Sequence, residues 1–219
     1  MGTLFIVSTP IGNLEDITLR AIKTLSSVDA ILCEDTRHTG LLLQHLNIKN
    51  IPLIRIDDHT QLQKAPEIVQ MLEQGKNIAL VSDAGTPLIS DPGFLLVREA
   101  LKHGIKVVSI PGPSAVIAAL TSSGLPTDKF FFLGYPPEKT SHRLKVFQSL
   151  PKDTTIIFYC APHKLTQTLE DMKEVFGDIE ITLARELTKV HEEIVNLKIS
   201  EALSENFRGE IVLLFSLGI

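Results

Sequence analysis

The first half of the chain alternates short, fully apolar runs with longer amphipathic segments. The runs have the length of strands, and the segments between them repeat apolar residues every three or four positions, as helices do. This alternation predicts an α/β fold with a parallel sheet that is covered on both faces. The predicted strands are Thr3–Val7, Ala30–Cys33, Ile51–Ile56, 77–81 and 106–110, and the predicted helices are 16–27, 39–46, 62–74 and 92–103.

Single residues refine these boundaries. Asp16 is a plausible N-cap for the first helix, because its side chain can accept a hydrogen bond from a free backbone N–H. Gly75 and Gly104 each follow a predicted helix, where glycine commonly ends the last turn. Pro52 lacks an N–H group for a ladder, so we expect its strand at a sheet edge.

The pattern of the second half also predicts strands and helices, but two of its strands are joined by a shorter connection than any in the first half requires. Its last two predicted strands are only about ten residues apart, too close for a parallel crossover, so we expect them to pair antiparallel in a mixed sheet. The join between two domains, 1–112 and 113–219, is expected at Pro111-Gly112-Pro113. The predicted strands are Phe130–Leu133, Thr155–Tyr159, Ile179–Ala184, Glu193–Ile199 and Glu210–Phe215, and the predicted helices are 114–122, 138–149, 162–176 and 200–207.

Three predicted strands run into loops rich in glycine, proline, serine and threonine. The densest is Ser82–Gly93, after the strand at 77–81; the others begin at Ser8 and at Pro111. Such loops present backbone groups to a ligand, and ligands of open α/β sheets bind at the carboxyl ends of strands. The plain alternative is that connecting loops contain these residues anyway.

Composition limits the possible partners. The chain has 219 residues and a formal net charge of −5, and neither half is a basic arm, so a nucleic acid would have to be met by a local patch. Cys33 and Cys160 lie in apolar runs and are expected to be reduced core residues of a cytoplasmic protein. We expect no metal site, membrane span or signal peptide.

Polar residues follow the second predicted strand as Cys33-Glu34-Asp35-Thr36-Arg37-His38-Thr39. Glu34, Asp35, Arg37 and His38 could form a proton-handling or hydroxyl-binding cluster. The alternative is a helix N-terminus in which Asp35 or Thr36 is the cap and the acids match the helix dipole. Asp57-Asp58-His59, after the third strand, is more typical of a solvated turn than of a Mg²⁺ site.

Two charged segments occur in the second half. The segment from Arg185 to Glu193 is either a solvated hairpin or a lip of a cleft whose Arg185 and Lys189 reach phosphates. The segment from Tyr135 to Arg143 is the most basic stretch of the chain, and is either a polynucleotide contact or a capped helix start.

Taken together, these segments resemble the tetrapyrrole methylase superfamily, and most of all its branch of bacterial enzymes that methylate the 2′-hydroxyl of a cytidine ribose in 16S rRNA. The resemblance covers nearly the whole chain in order. The segments that carry it are Ser8 to Arg20, Glu34 to Thr39, Ser82 to Gly93, Pro111 to Ala115, Ala161 to Lys164 and Arg185 to Lys189.

The resemblance implies a methyltransferase that binds S-adenosylmethionine in the cleft between two α/β domains, usually as a homodimer, and acts on 16S rRNA or the small ribosomal subunit. Methyl transfer to a ribose hydroxyl needs a proton acceptor, for which Glu34, Asp35 and His38 are the candidates, with Arg37 binding a phosphate or orienting an acid. The cofactor-binding residues carried over by position are Pro10, Gly12, Asp83, Ala84, Gly85, Thr86, Pro87, Ile89, Ser114, Ala115, Cys160 and Leu187.

The chain departs from the pattern of this branch in two places, both of which concern the RNA more than the cofactor. It ends at Ile219, where relatives commonly continue, and Glu138 stands where they tend to carry arginine. Two alternatives remain: a methylase of a porphyrin-like macrocycle, and a non-catalytic ribosome-associated module that keeps the pocket as a scaffold. The chain has no GxxxxGK[ST] motif and no GxGxxG motif after a strand, so binding of a nucleoside triphosphate or a dinucleotide lacks its usual support.

Overall fold

A computed structural model describes residues 1–58 and 60–218 of the protein. Contacts divide the chain into a first unit, Met1–Ser114, and a second unit that begins at Ala115. In the described part of the chain, no helix combines the length and the apolar character that crossing a bilayer requires.

The first unit contains a five-stranded parallel sheet, as the sequence predicts. The strand order is β3-β2-β4-β1-β5, so the strand that follows Pro52 does lie at an edge. Every pairing in the sheet is parallel. The strands are β1 (Thr3–Val7), β2 (Ala30–Cys33), β3 (Leu53–Arg55), β4 (Ile78–Leu80) and β5 (Lys106–Ile110).

Four helices cover this sheet, and the first begins later than predicted. Asp16 is not its cap: residues Leu14–Asp16 form a 3₁₀ turn, and the Thr18 side chain accepts a hydrogen bond of 3.0 Å from the N–H of Ala21. Thr18, which lies closer to the apolar residues of the helix, is therefore the N-cap. The helices are α1 (Leu19–Leu25), α2 (Thr36–His45), α3 (Gln61–Glu73) and α4 (Phe94–Lys102).

The strands alternate their side chains between two apolar layers. Leu32 and Leu80 pack with residues of α3 and α4 in one cluster, whereas Ile31 and Val81 pack with residues of α1 and α2 in the other. The prediction of a sheet covered on both faces is therefore confirmed. Cys33 belongs to the second cluster, and both Cys33 and Cys160 are buried and unpaired, as expected.

The second unit contains the mixed sheet that the sequence predicts, but one pairing is wrong. The order is β6-β7-β10-β8-β9, so the last two strands are not neighbours. Each of them instead pairs antiparallel with β8, which lies between them. Only β6 and β7 pair in parallel. The strands are β6 (Phe130–Phe132), β7 (Thr154–Cys160), β8 (Glu180–Arg185), β9 (Glu193–Lys198) and β10 (Ile211–Leu217).

An aromatic core joins this sheet to its helices. The rings of Phe147 and Phe158 stack at a centroid distance of 6.0 Å, and Phe215 contacts Phe158 edge-on at 6.3 Å. The last helix is much shorter than predicted. The helices are α5 (Ala115–Ser122), α6 (Thr140–Gln148), α7 (Leu165–Phe176) and α8 (Ile199–Ala202).

Candidate functional site

The loops that follow three neighbouring strands of the first unit contact one another at the carboxyl ends of those strands. The backbones of Thr9 and Gly85 exchange two N–H···O hydrogen bonds of 2.9 and 3.0 Å. The Ser8 hydroxyl lies 3.0 Å from the Thr86 hydroxyl, which donates to the Pro113 carbonyl at 3.0 Å. We call these segments the rim loops: 8–13 after β1, 82–93 after β4 and 111–114 after β5.

Glycines lie at two close contacts between the rim loops. Gly85 has φ +81°, and a Cβ there would lie 3.3 Å from Cγ2 of Ile11. A Cβ at Gly112 would lie 3.0 Å from Cβ of Ser8. Both distances are tighter than most side-chain contacts, so a side chain at either position would require its neighbour to move by a few tenths of an ångström.

The densest loop also holds ordinary residues in a strained backbone conformation. Leu88 and Ser90 have φ values of 73° and 66°, in the left-handed region that L side chains rarely adopt. Each such residue costs about 1–3 kcal/mol and persists only where its surroundings fix it. Backbone strain of this kind clusters at ligand sites, and no sequence pattern announced it here.

The structure brings nine of the predicted cofactor residues together in the rim loops. Some are buried in the network and others are accessible on its outer side. Pro10, Gly85 and Pro87 are buried; Asp83, Thr86 and Ser114 are half-buried; Gly12, Ala84 and Ile89 are exposed. Ser8 and Thr9, which make most of the bonds between loops, were not predicted as site residues.

The remaining predicted cofactor residues lie in the second unit. Ala115 is half-buried at the start of α5. Cys160 ends β7, and burial raises the pKa of its thiol to about 11, which makes it an inert core thiol. Leu187 is buried in the loop between β8 and β9, whose Glu186 and Thr188 have φ values of 48° and 65°. The cofactor roles of these residues stay predictions.

The four predicted catalytic residues separate into different environments. Asp35 is the cap of α2: its side chain accepts from the N–H of Arg37 at 2.8 Å and from the Arg37 guanidinium at 2.7 and 3.1 Å. These bonds hold the pKa of the Asp35 carboxyl well below its usual range, so it is a weak base. Arg37 and His38 are exposed.

Glu34 is the one member whose surroundings favour proton transfer. Burial, and after it the carboxylates of Asp91, Asp83, Asp58 and Asp57, raises the pKa of Glu34 to about 7. A carboxyl with that pKa can accept a proton at neutral pH and return it readily. The half-buried Glu34 follows β2, beside the strand β4 that carries the largest rim loop.

Glu34 belongs to an acidic cluster that sequence reasoning missed. Its members follow β2, β3 and β4, and the pKa of Asp91 is itself raised to about 6, mainly by burial. The side chain of Asp83 accepts a hydrogen bond of 3.2 Å from the N–H of Asp35, which joins the cluster to the capped end of α2. The cluster could not be predicted because the order of the parallel strands, which brings these acids together, was not known from the sequence. His59, in the predicted Asp57–His59 turn, lies outside the described residues.

The two charged segments of the second unit are tied down within that unit. Arg185 is paired with Glu193, and Lys189 with Glu186 and Glu210 at 3.0 and 2.8 Å, in a loop that joins two antiparallel strands. The segment is therefore a hairpin connection, and the role of Arg185 and Lys189 in reaching phosphates stays a prediction. Arg143, predicted to be part of a basic stretch, is instead buried against Asp171.

Comparison with known proteins agrees with this architecture. A structure of the methyltransferase CobJ matches the whole chain and 95% of that protein with a TM-score of 0.75 at 19% identity. A diphthine synthase structure matches 98% of the chain and 90% of that protein with a TM-score of 0.74 at 12% identity. At these identities the likeness concerns the fold.

Sequence relatives are much nearer. A ribosomal RNA small subunit methyltransferase I of Escherichia coli O157:H7 is 50% identical over 223 residues, which span 97% of the chain and 77% of that protein. The protein of the same name from Thermotoga maritima is 47% identical over 221 residues, 99% of both. A sequence model of the Tetrapyrrole (Corrin/Porphyrin) Methylases matches residues 3–203. The chain therefore belongs to the tetrapyrrole methylase family.

Proposed function

We propose that the chain transfers a methyl group from S-adenosylmethionine to the 2′-hydroxyl of a cytidine ribose in 16S rRNA. Likeness to ribosomal RNA small subunit methyltransferases over 97–99% of the chain is the single observation that carries the reaction class and the rRNA substrate. The ribose position and the base rest on the sequence resemblance. A porphyrin-like substrate is not favoured by these relatives.

The rim loops fit this cofactor. Gly85 and Gly112 let the three loops pack closely against Ile11 and Ser8. In the same loops Gly12 and Ala84 are exposed and Thr86 is half-buried, so backbone groups are accessible to a ligand. When bound, S-adenosylmethionine supplies an electrophilic methyl group on a sulfonium. Rim carbonyls suit a cation that loses its charge on reaction, because a tight ion pair would stabilise the ground state more than the transition state.

Glu34 is the residue that we assign to the ribose hydroxyl. A hydroxyl is a poor nucleophile, and a carboxylate with a pKa near 7 can accept its proton as the methyl is transferred. The rim loops orient the donor, and such orientation can remove several kcal/mol from the barrier. The acidic cluster repels phosphates, so the RNA backbone has to be bound by cations elsewhere on the chain.

The direct test is methyl transfer to isolated small ribosomal subunits, followed by mapping of 2′-O-methyl groups on the 16S rRNA. We expect one methylated cytidine, with the rate rising with pH through about 7 because Glu34 must be ionised to act as a base. Uroporphyrinogen, as the competing substrate, should remain unmodified. Binding of S-adenosylmethionine without transfer to either substrate would instead favour a non-catalytic module.

Glu34→Gln and Asp35→Asn separate the two adjacent acids. Glu34→Gln should lower kcat and remove the pH dependence near neutrality while the affinity for S-adenosylmethionine is kept. Asp35→Asn should leave the pH profile in place, since asparagine caps a helix as well as aspartate. Full turnover in both variants would remove this cluster from the mechanism.

We also propose that the protein works as a homodimer in the cytoplasm, where small subunits assemble. Two exposed apolar side chains on α4 support a self-association surface: Phe94 and Leu101, two turns apart, are 61% and 59% exposed. Light scattering of the purified protein tests the dimer, and Leu101→Lys should shift it toward the monomer.

A further inference from the structure

Three aromatic rings form a continuous row in the second unit, which we call the aromatic row. Phe132, at the end of β6, contacts the ring of Tyr159 at 5.0 Å in an edge-on arrangement. Tyr159, on β7, contacts the ring of Tyr135 at 5.4 Å. Tyr135 and Tyr159 are the only tyrosines of the chain, which contains no tryptophan.

The row is not part of the aromatic core of the second unit. Tyr159 alternates with Phe158 along β7, so its ring lies on the sheet face opposite that core. Tyr135, at the outer end of the row, is 63% exposed. At that exposure the ring offers a flat face to a partner.

The loop that carries Tyr135 is held rigidly from beneath. The buried Arg143 guanidinium donates to the carbonyls of Pro137 and Glu138 at 2.9 and 3.0 Å and to the hydroxyl of Thr140 at 3.2 Å. Its Nε donates to Asp171 at 2.7 Å. An arginine with 2% exposure therefore fixes the backbone of residues 137–140 from inside the unit. The exposed part of the loop is preorganised, and binding to it requires little ordering of the chain.

One lysine and two histidines, all able to donate hydrogen bonds, accompany the row. Lys139 and His142 follow Tyr135 on the same segment, and His163 follows the strand that carries Tyr159; all three are exposed. Glu138 is the one exposed carboxylate in the segment from 134 to 145. In a chain with net charge −5, the exposed Lys139 and Lys145 against the single Glu138 give this segment a local excess of positive charge beside aromatic faces, a combination typical of single-stranded RNA sites.

We propose that the aromatic row stacks against an unpaired base of the ribosomal RNA strand, with Tyr135 as the stacking face and Lys139 and His142 beside the neighbouring phosphates. This inference rests on the proposed function, because it assigns a subsite to the RNA substrate of that reaction. The row holds RNA, while the rim loops hold the methyl donor.

Kinetics of Tyr135→Ala with small ribosomal subunits form the first test. Because this substitution removes the stacking interaction with one base, the KM for subunits should rise about ten- to a hundredfold. The kcat and the Kd for S-adenosylmethionine should change little. Tyr135→Phe keeps the ring and should restore the KM. Phe131→Ala is the matched control, because Phe131 is also exposed but points to the opposite face of β6.

Glu138→Gln provides a change of opposite sign. Removing the one exposed carboxylate of the segment from 134 to 145 should lower the KM for subunits several-fold, and the gain should shrink at high salt. An unchanged KM in Tyr135→Ala would overturn the proposal, whatever the effect of Glu138→Gln. Loss of S-adenosylmethionine binding in Tyr135→Ala would also overturn it, since the row would then belong to the cofactor site.

A spectroscopic test keeps this inference separate from the proposed function. Labelling with 3-fluorotyrosine gives one ¹⁹F signal each for Tyr135 and Tyr159, assigned with Tyr135→Phe. A short single-stranded RNA should shift the Tyr135 signal whether or not methylation occurs, and an unmoved signal counts against stacking. Failure of the wild-type protein to methylate subunits would refute the proposed function instead.

Discussion

The rim loops and the aromatic row are built in opposite ways. The rim loops present backbone, glycines and short hydroxyl side chains, and carry an acidic cluster beside them. The aromatic row presents large side-chain faces among cations, and its loop is held by a buried arginine. The first construction suits a small cationic ligand held closely, and the second suits a large polyanion recognised over a surface. The difference teaches that one chain can separate donor and acceptor recognition by the chemistry of two surfaces.

The largest expected effect on stability comes from the buried Arg143, which holds the loop of the aromatic row in place and which we call the clamp. Arg143→Ala leaves Asp171 as an uncompensated buried charge, which typically destabilises a protein by about 3–5 kcal/mol. Chemical denaturation measures the free energy of unfolding. Arg37→Ala is the contrasting control, since that arginine pairs with Asp35 at 89% exposure and its loss should be hardly detectable. Equal effects of the two substitutions would show that the clamp has no special role.

Glycine substitutions in the rim loops come next. Gly85→Ala introduces both positive-φ strain and a contact of 3.3 Å with Ile11, so it should destabilise the protein by about 1–3 kcal/mol and weaken donor binding. Gly75→Ala has similar strain at φ +93° but no heavy atom within 4 Å of the new Cβ. The Gly75 variant should therefore lose some stability and keep its affinity in calorimetry. Equal affinities would break the link between interlocked loops and donor binding.

Glu34→Gln and Asp35→Ala should change the free energy of unfolding in opposite directions. The folded-state pKa of Glu34 is raised to about 7, so the folded protein loses stability as pH rises from about 4.5 to 7. At about pH 8, Glu34→Gln should raise the free energy of unfolding by about 1–2 kcal/mol, after allowance for solvent screening. Asp35→Ala should lower it instead, because a helix cap is lost. Denaturation at acid and alkaline pH gives both signs.

The smallest effect is expected at the hairpin loop of the second unit. Lys189 is partly exposed and paired with Glu186 and Glu210, so Lys189→Ala should cost less than about 1 kcal/mol, and less still at high salt. The same substitution should leave the KM for small subunits unchanged. A large rise in that KM would mean that Lys189 leaves its partners to bind phosphate.

The fold was predictable because its signals are local. Fully apolar runs predicted the strands of both sheets, and Pro52 predicted an edge. The partner of β9 was not predictable, since the order of strands in a sheet depends on long-range packing and not on the length of one connection. The predicted start of α1 was wrong because Asp16 and Thr18, two residues apart, are both suitable caps, and the structure uses Thr18.

The candidate site was predictable in its loops but not in its electrostatics. Three glycine- and proline-rich loops indicated a rim, and β4, β1 and β5 are neighbours. The raised pKa of Glu34 depends on acids that follow β3 and β4, which only the assembled sheet brings near it. Arg143 had cationic neighbours in sequence, while its partner Asp171 lies 28 positions away, so its burial had no local signal.

Hydrogen exchange measured with and without S-adenosylmethionine tests the central claim, that the rim loops hold the methyl donor, most directly. We predict slower exchange of backbone amides in 8–13, 82–93 and 111–114 together, with the segment 134–139 unchanged until RNA is added. Unaltered exchange in all three rim loops at saturating donor would contradict the account.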